Sequence, residues 1–278
     1  MLPHTFIHLP GIGAKTEQNL WQAGINSWDE WCSPPSVRLP HSSVSEIESL
    51  LKKSGSALDS SANFFTDRLP AAEHWRIFPH FRQKTAYLDI ETDGLGEYAR
   101  ITTIALYDGN QILHYINGHN LDQFPTDIMA YDVLVTYNGK TFDIPVIERF
   151  FRVRLDQAQI DLRYVLARLG FKGGLKACEK QLGLSRGSLD GVDGFFAVLL
   201  WREYEQKRDR KALETLIAYN IEDTVNLERL LVEAYNRNVD QTPFGDQLHI
   251  PLPEPPELPF APDLDTVERL RQYRLAFD

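Results

Sequence analysis

The stretch "YLDIETDGL", residues 87–95, determines how the rest of the chain is interpreted. Apolar residues alternate with Asp89 and Glu91, and this period of two predicts a β-strand. Successive side chains of a strand point to opposite faces, so both carboxylates lie on one face, two residues apart. Neighbouring carboxylates repel each other, and their burial is costly unless a positive partner offsets the charge. The stretch therefore predicts a strand that carries part of a charged site.

The residues that follow predict an α/β fold. Four more apolar stretches have strand character, and Asp108-Gly109-Asn110 supplies a turn between two of them. These stretches are "ARITTIALYDG", "QILHYING", "YDVLVTYNG" and "AQIDL". Helices are predicted for "FDIPVIERFF" and for most of the chain after "AQIDL", up to residue 238. Antiparallel strands followed by helices predict a mixed sheet of about five strands flanked by helices.

Composition divides the chain into three regions. Residues 1–83 form a small, mostly helical N-terminal region that contains a Gly-rich motif and the stretch "CSPPSVRLPHSS". Residues 84–238 carry the alternating strand and helix signals. Residues 239–278 form a proline-rich, acidic tail, in which "PLPEPPELPFAP" is predicted to be extended because proline is excluded from helices and central strands. A short amphipathic helix, "DLDTVERLRQYRLAF", is predicted to follow it.

The bulk composition is typical of a globular protein of the cytoplasm. Hydrophobic residues make up 43% of the chain and charged residues 24%. No apolar run reaches about 18 residues, so no transmembrane helix and no membrane partner are predicted. The N-terminus has no apparent secretory leader. Two cysteines, Cys32 and Cys178, are too few for a zinc site or a disulfide framework, which favours a reducing compartment.

The net charge of −10 does not exclude a nucleic-acid partner. Proteins that bind nucleic acid usually carry a basic footprint. Here the tail from residue 239 contributes −5, half of the total, whereas residues 1–83 are nearly neutral. Because the acidity is concentrated in the tail, the overall sign of the charge does not decide between classes of partner.

Three further residues complete a candidate site with Asp89 and Glu91. Asp143 follows a predicted strand, and Asp223 lies inside a predicted helix with Tyr219 four residues earlier on the same helix face. Four carboxylates supply the hard oxygen ligands that Mg²⁺ or Mn²⁺ prefers. Two such ions about 3.5–4 Å apart activate water and stabilise the leaving oxygen of a phosphodiester. Their charge would also offset the repulsion between the two carboxylates of the strand.

Each of these residues also has a simpler structural interpretation. Asp89 and Glu91 fit the polar face of an amphipathic strand, and Asp143 fits a helix N-cap. Asp223 fits a solvated helix surface, and Tyr219 fits the edge of a core. The metal-site hypothesis is favoured because separate structural roles would not require these residues to occur together in this order.

The motifs "DIE" (89–91), "NGKTFD" (138–143) and "YNIED" (219–223) resemble the three exonuclease motifs of the DEDD superfamily, whose fold is ribonuclease H-like. The Tyr-x-x-x-Asp form of the third motif is similar to the tyrosine (DEDDy) branch. The stretches "QIDLRYVLARLG" and "GGLKACEKQLGL" further resemble a group of bacterial and archaeal exonuclease-like proteins. The resemblance covers residues 84–238.

This resemblance implies a metal-dependent 3′→5′ exonuclease that acts on DNA or RNA. Asp89 would bridge two Mg²⁺ or Mn²⁺ ions. Glu91 and Asp223 would bind the ion that activates water, and Asp143 would hold the second ion through water. Tyr219 would orient the attacking water, which releases a nucleoside monophosphate from a 3′ end. Two alternatives stay open: a structure-selective or endo-acting nuclease with the same metal site, and a catalytically silent nucleic-acid-binding or scaffold protein.

Three other charged positions have interpretations outside this site. Asp161 in "QIDL" precedes a predicted helix and is expected to cap it. Asp93 belongs to the turn Thr92-Asp93-Gly94, where aspartate is favoured by its own backbone hydrogen bonds. The basic run "WREYEQKRDRK", residues 201–211, is interpreted as a charged helix end that faces solvent, with contact to a nucleic-acid substrate as the alternative.

The stretch "FIHLPGIGAKTEQNLWQAGINSWDEW", residues 6–31, resembles a helix-hairpin-helix motif. Gly11 and Gly13 would form the tight turn, and Ile12 would attach it to the core. The amides at the start of the following helix would face a phosphate of nucleic acid, with Lys15 adding positive charge. Such motifs bind the backbone without reading the sequence. The alternative is a turn between two packing helices, or a degenerate motif used for protein contacts.

Overall fold

The predicted strand that carries Asp89 and Glu91 is the centre of one five-stranded sheet in the computed structural model. The strands, in chain order, are β1 (Thr85–Thr92), β2 (Ile101–Tyr107), β3 (Ile112–Ile116), β4 (Val133–Thr136) and β5 (Ala158–Asp161). Their spatial order is β3-β2-β1-β4-β5. The pairs β1–β2 and β2–β3 are antiparallel, whereas β1–β4 and β4–β5 are parallel. The predicted α/β fold, with a ribonuclease H-like mixed sheet, is confirmed.

Helices flank this sheet, as predicted. The structure describes residues 1–31, 37–39, 43–94, 96, 98–184 and 192–275; Cys32 and most of "CSPPSVRLPHSS" lie outside the described residues. The α-helices within these ranges are α1 (Ala14–Gln22), α2 (Val44–Leu58), α3 (Ala62–Thr66), α4 (Phe78–Phe81), α5 (Phe124–Asp127), α6 (Asp143–Phe151), α7 (Leu162–Arg168), α8 (Leu175–Gln181), α9 (Gly194–Lys207), α10 (Arg210–Val239), α11 (Gly245–Leu248) and α12 (Leu264–Leu275). No helix in the described ranges is both long and apolar enough to cross a membrane.

The alternation of β1 separates two parts of the core. Leu88 and Ile90 belong to a buried cluster that also contains side chains of α6. Tyr87 belongs to a second cluster, on the opposite face, that contains most of the buried side chains of α10. Since residues two apart on a strand share a face, Asp89 and Glu91 lie on the same side as Tyr87. The fold therefore directs both carboxylates toward α10.

Helix α10 is long enough to cross the whole sheet. It has 30 residues, and its N-cap is Asp209, whose carboxylate accepts hydrogen bonds from the amides of Lys211 and Ala212. No glycine or proline interrupts residues 210–239, so the predicted helix continues without a break. Its buried side chains pack against β1 and β2. This packing determines which α10 side chains lie next to the residues of β1 and β2.

The N-terminal region shares the core on the α10 side of the sheet. Leu2, Phe6 and Leu20 are buried in the same cluster as Tyr87. Trp75 packs edge-on against Tyr235 of α10, with 5.7 Å between ring centroids. The predicted boundary at residue 83 therefore does not coincide with a break in the hydrophobic core, and the boundaries at 83 and 238 stay predictions.

A buried ion pair holds the N-terminal region together. Glu17 of α1 is 1% exposed, and its carboxylate accepts hydrogen bonds from the amides of Phe6 and Ile7. The guanidinium of Arg76, 3% exposed, donates two further hydrogen bonds to this carboxylate, at 3.2 and 2.9 Å. Every oxygen of Glu17 is thus satisfied, which is the condition under which a buried charge is tolerated.

The N-terminal region also covers β5, which is an edge strand of the sheet. His74 donates from Nδ1 to the carbonyl of Gln159 in β5, at 2.7 Å. Just before the strand, the amide of Asn63 in α3 donates to the carbonyl of Asp156, at 2.6 Å. These bonds occupy backbone acceptors that an exposed edge would leave unpaired.

The tail returns along α10 in the opposite direction. Asn236, near the end of α10, exchanges two hydrogen bonds with the backbone of Ile250, at 2.8 and 2.9 Å. At the other end of the tail, the amide of Asp263 donates to Thr215, and its carboxylate pairs with Lys211, both at 2.9 Å. The proline-rich stretch between these anchors contains neither helix nor strand, and α12 follows it, as predicted.

Candidate active site

Strand β1 and helix α10 bring three of the predicted carboxylates together. Asp89, Glu91 and Asp223 each offer an oxygen, and these oxygens all lie within 4.8 Å of one another. Glu91 is 9% exposed and Asp223 is 5% exposed, while Asp89 is half-buried. Asp89 and Asp223 are separated by 134 positions in the sequence, so only the docking of α10 on the sheet creates the cluster.

Asp89 is held in place from α10. The side-chain amide of Asn220 donates to Asp89 Oδ2, at 2.7 Å, and Asn220 itself is 1% exposed. The motif "YNIED" thus supplies a carboxylate to the cluster and a donor that orients a second carboxylate. Sequence reasoning passed over Asn220, although its place beside Tyr219 in the third motif was a usable signal.

The electrostatics of the cluster disfavour the ionised form of Asp89. Burial raises the pKa of the Asp89 carboxyl well above its ordinary value, and the negative charges of Glu91, Asp143 and Asp223 raise it further. The hydrogen bond from Asn220 acts in the opposite direction. Like charges that are close and poorly hydrated cannot all ionise cheaply, and a bound cation would remove this conflict.

Asp143 lies beside the cluster but outside the group of three. It is the first residue of α6 rather than its N-cap, and its carboxylate accepts a hydrogen bond from the amide of Ile90 in β1, at 3.2 Å. Burial raises the pKa of Asp143 to about 7, against the lowering effect of backbone hydrogen bonds, including that from Ile90. Asp143 therefore connects the start of α6 to the strand that carries Asp89.

Asp161 fixes the loop that precedes Asp143. Its carboxylate caps α7 through the amide of Arg163, at 3.0 Å, as predicted. The same carboxylate also accepts from the amides of Asn138 and Lys140, at 2.8 and 3.2 Å. Asn138 has a φ of 66°, a left-handed conformation that asparagine tolerates better than most residues. The hydrogen bonds from Asn138 and Lys140 to Asp161 were not predicted, because they join two loops that are adjacent only in the folded sheet.

Gly139 is required by a close approach to β4. A Cβ atom at this position would lie 2.2 Å from Thr136 Oγ1. Gly139→Ala is therefore expected to destabilise the protein by about 1–3 kcal/mol through overpacking, measured by urea unfolding. Gly55→Ala is the matched control: Gly55 lies inside α2 with open space around it, and alanine there should stabilise by about 0.5–1 kcal/mol. Equal effects of the two substitutions would contradict the steric assignment.

A cleft of about 910 Å³ opens next to the carboxylates. Asp89, Glu91 and Asp223 line one part of it, and Tyr219 lies there too, only 3% exposed. The lining also contains cationic side chains, which sequence reasoning missed: Arg163, Lys172 and Lys176. A cleft lined by both carboxylates and cationic side chains can hold a divalent cation and an anionic ligand at the same time.

The remaining charged positions lie apart from the cluster. Asp93 accepts hydrogen bonds from the amide and the guanidinium of Arg100, at 2.8 and 2.7 Å, across the connection between β1 and β2, in agreement with its assignment to the turn. In the basic run 201–211, Lys207 pairs with Glu203 and Lys211 pairs with Asp263, both at 2.9 Å. These ion pairs favour the interpretation of the run as a charged helix end.

The Gly-rich turn of the N-terminal region exposes Gly11, Gly13 and Lys15 at the surface. Gly11 has a φ of 75° and Gly13 is the N-cap of α1, while Ile12 is 5% exposed and anchors the turn in the core, as expected. Lys15 is exposed in the first turn of α1. The element before the turn is a three-residue 3-10 helix, Leu2–His4, where a helix-hairpin-helix would have an α-helix. The assignment of this motif stays a prediction.

Comparisons with known proteins address the fold. A family B DNA polymerase from the hyperthermophilic archaeon Pyrobaculum calidifontis resembles this chain with a TM-score of 0.44 and 16% sequence identity; the match covers 58% of this chain and 26% of that chain. A search of curated proteins gives no significant match. The family model of the RNase_H superfamily matches residues 86–235, which include all five strands except Thr85, the first residue of β1, and most of α10. On this match, the chain belongs to the RNase_H superfamily.

Proposed function

We propose that this protein is a metal-dependent 3′→5′ exonuclease that hydrolyses phosphodiester bonds of DNA or RNA. The observation that carries the proposal is the convergence of the Asp89, Glu91 and Asp223 oxygens within 4.8 Å of one another in a half-buried cleft. The three exonuclease-like motifs support the direction of cleavage and the release of mononucleotides. Membership of the RNase_H superfamily supports the broader class of nuclease.

The donor set suits Mg²⁺ or Mn²⁺. All three residues of the group offer carboxylate oxygens, and hard divalent cations prefer such ligands. The raised pKa of Asp89 marks an excess of negative charge that a cation would offset. We assign Asp89, Glu91 and Asp223 as direct ligands of two ions and Asp143 as a ligand through water. When bound, the ions would activate water and stabilise the leaving oxygen.

The chain's own residues then bind and orient the reactants. Asn220 fixes the carboxylate of Asp89 through its 2.7 Å hydrogen bond. Tyr219 orients the attacking water beside Glu91, and both side chains line the cleft. Arg163 and Lys172 of the same cleft would hold substrate phosphates by charge-assisted hydrogen bonds.

One set of assays tests the proposal. Single- and double-stranded DNA and RNA, labelled at the 3′ or the 5′ end, are incubated with the protein and Mn²⁺, Mg²⁺ or EDTA. Metal-dependent release of mononucleotides from the 3′ end is expected. Internal fragments without mononucleotides would instead indicate an endonuclease. Binding without metal-dependent cleavage of any substrate would indicate a catalytically silent nucleic-acid-binding protein and would refute the proposal.

We also propose that the turn Gly11–Lys15 contacts the nucleic-acid backbone through the first amides of α1. Lys15→Glu is then expected to weaken binding of single-stranded DNA or RNA and to reduce the slope of log affinity against log salt by about 1, since one phosphate contact is lost. Fluorescence anisotropy over a salt series measures both quantities. Lys53→Glu, an equal charge change at an exposed position of α2, is the control. If both variants weaken binding equally, the effect is not specific to the turn.

A further inference from the structure

Lys176 is in direct contact with the tyrosine of the third motif. Its ammonium nitrogen lies 2.7 Å from Tyr219 Oη and 4.5 Å from the centroid of the tyrosine ring. An ammonium group has three donors and no acceptor, so the phenol oxygen must be the acceptor of this bond. The contact therefore fixes the direction of one hydrogen bond of Tyr219 without any assumption about protonation of the tyrosine.

The position of Lys176 is set by the way α8 is anchored. Gly173 and Gly174 precede the helix with φ values of 106° and 89°, a backbone turn that other residues rarely adopt. Three residues after Lys176, Glu179 is 1% exposed and accepts a hydrogen bond from Asn226 of α10, at 3.0 Å. Because α8 is tied to α10 at this second point, Lys176 and Tyr219 are held as a pair.

This bond sets how the Tyr219 hydroxyl is held. The phenol oxygen accepts a hydrogen bond from Lys176, and the tyrosine lines the cleft together with Asp89, Glu91 and Asp223. The orientation of the hydroxyl relative to the carboxylates of the cleft therefore depends on Lys176.

We propose that Lys176 is a positioning residue that holds the Tyr219 hydroxyl in the orientation from which it acts on the attacking water. This inference rests on the proposed nuclease function and assigns a role to a residue outside the three motifs. It requires that the effect of Lys176 on the rate passes through the tyrosine hydroxyl. A lysine that merely bound a substrate phosphate would act independently of that hydroxyl.

A double-variant cycle distinguishes these two roles. The variants are Lys176→Met, Tyr219→Phe and the double variant, assayed for kcat and KM on a labelled oligonucleotide with Mn²⁺. Each single variant is expected to lower kcat about 10- to 100-fold, the effect of one charge-assisted hydrogen bond, with KM within about 2-fold. The double variant should be no slower than Tyr219→Phe alone. Lys176→Arg keeps a donor and should recover part of kcat.

Two controls accompany the cycle. Lys180→Met removes an exposed lysine from the same helix and should leave kcat unchanged. Thermal unfolding of all variants in EDTA reports the contact independently of activity: Lys176→Met should lower Tm in the wild-type background and have less effect in the Tyr219→Phe background.

The possible outcomes separate the two proposals. If the wild type cleaves nucleic acid but the losses of the two single variants multiply, or if the loss for Lys176→Met lies in KM, the positioning role is overturned while the nuclease function stands. Additive Tm changes in EDTA would also overturn it. If the wild type cleaves no substrate, the proposed function fails and the role of Lys176 fails with it.

Discussion

Asp89→Asn is expected to reduce metal-dependent cleavage by about 1,000-fold, at the upper end of the effect of removing one electrostatic contributor from an active site. Asp89 offers an oxygen within 4.8 Å of oxygens of Glu91 and Asp223. Its Oδ2 atom accepts a hydrogen bond from Asn220. Asparagine keeps the size of the side chain but removes the charge that would bind the cation. The rate should be measured with Mn²⁺ and with Mg²⁺ at saturating substrate.

Asp93→Asn is the matched control for this substitution. Asp93 lies four residues further on, and its carboxylate pairs with Arg100 instead of joining the cluster. The control should keep full activity. Near-normal cleavage by Asp89→Asn, or a comparable loss in Asp93→Asn, would contradict the assignment of the metal site to Asp89.

The stability of Asp89→Asn without metal gives a second, independent result. Asp89 and Asp143 both have a pKa above the value of about 3.9 for unfolded aspartate, and that of Asp143 is raised to about 7. Their contribution to stability is therefore fully present below about pH 4 and is lost as the pH rises toward about 7. In EDTA, the Tm of the wild type should fall over this range relative to that of Asp89→Asn. Mn²⁺ should restore the wild type more at pH 8 than at pH 6, because its ligands must be deprotonated.

Arg76→Ala is expected to cost about 3–5 kcal/mol of unfolding free energy, the largest effect on stability among the substitutions considered. Arg76 donates two hydrogen bonds to Glu17 and one to Glu73, and both Arg76 and Glu17 are almost fully buried. Removal of the guanidinium leaves the Glu17 carboxylate charged, buried and only partly hydrogen-bonded. Urea unfolding monitored by tryptophan fluorescence measures the loss.

Arg154→Ala tests whether burial is the cause. Arg154 pairs with Asp156 at 2.7 Å, but both side chains are more than three-quarters exposed, at 84% and 77%. The loss of such a surface pair should cost no more than about 1 kcal/mol. If Arg76→Ala is no more harmful than Arg154→Ala, the buried pair does not stabilise the N-terminal region in the way its geometry indicates.

The elements that sequence alone predicts well are those with a strong period. The alternation around Asp89 identifies β1, and the uninterrupted periodicity after residue 210 identifies α10. The same patterns place Glu91 and Asp223 on defined faces of these elements, whereas the expectation that the two residues converge came from the order of the three motifs. Local signals of this kind do not depend on which elements pack together.

The contacts that sequence does not predict are made between distant elements. Asn220 reaches Asp89 across 131 residues, and Lys176 reaches Tyr219 across 43. These contacts depend on how α10 is positioned on the sheet and how α8 is positioned on α10, and no local sequence pattern encodes these positions. Glu17 is a further example, because a single glutamate in a short amphipathic helix is normally solvated, and only the folded arrangement of Arg76 makes it a buried residue.

The hydrogen bonds on the outer side of β5 have a consequence for solubility. A bare edge strand is a template on which another chain can add a strand, and proteins usually block such edges. Here His74 occupies the carbonyl of Gln159, and the surrounding N-terminal segment covers the strand. A fragment that starts at residue 84 would expose this edge, together with the apolar surface beneath it, and would be prone to self-association. The N-terminal region is therefore expected to limit aggregation, and its proposed contact with nucleic acid is better tested by point substitutions than by truncation.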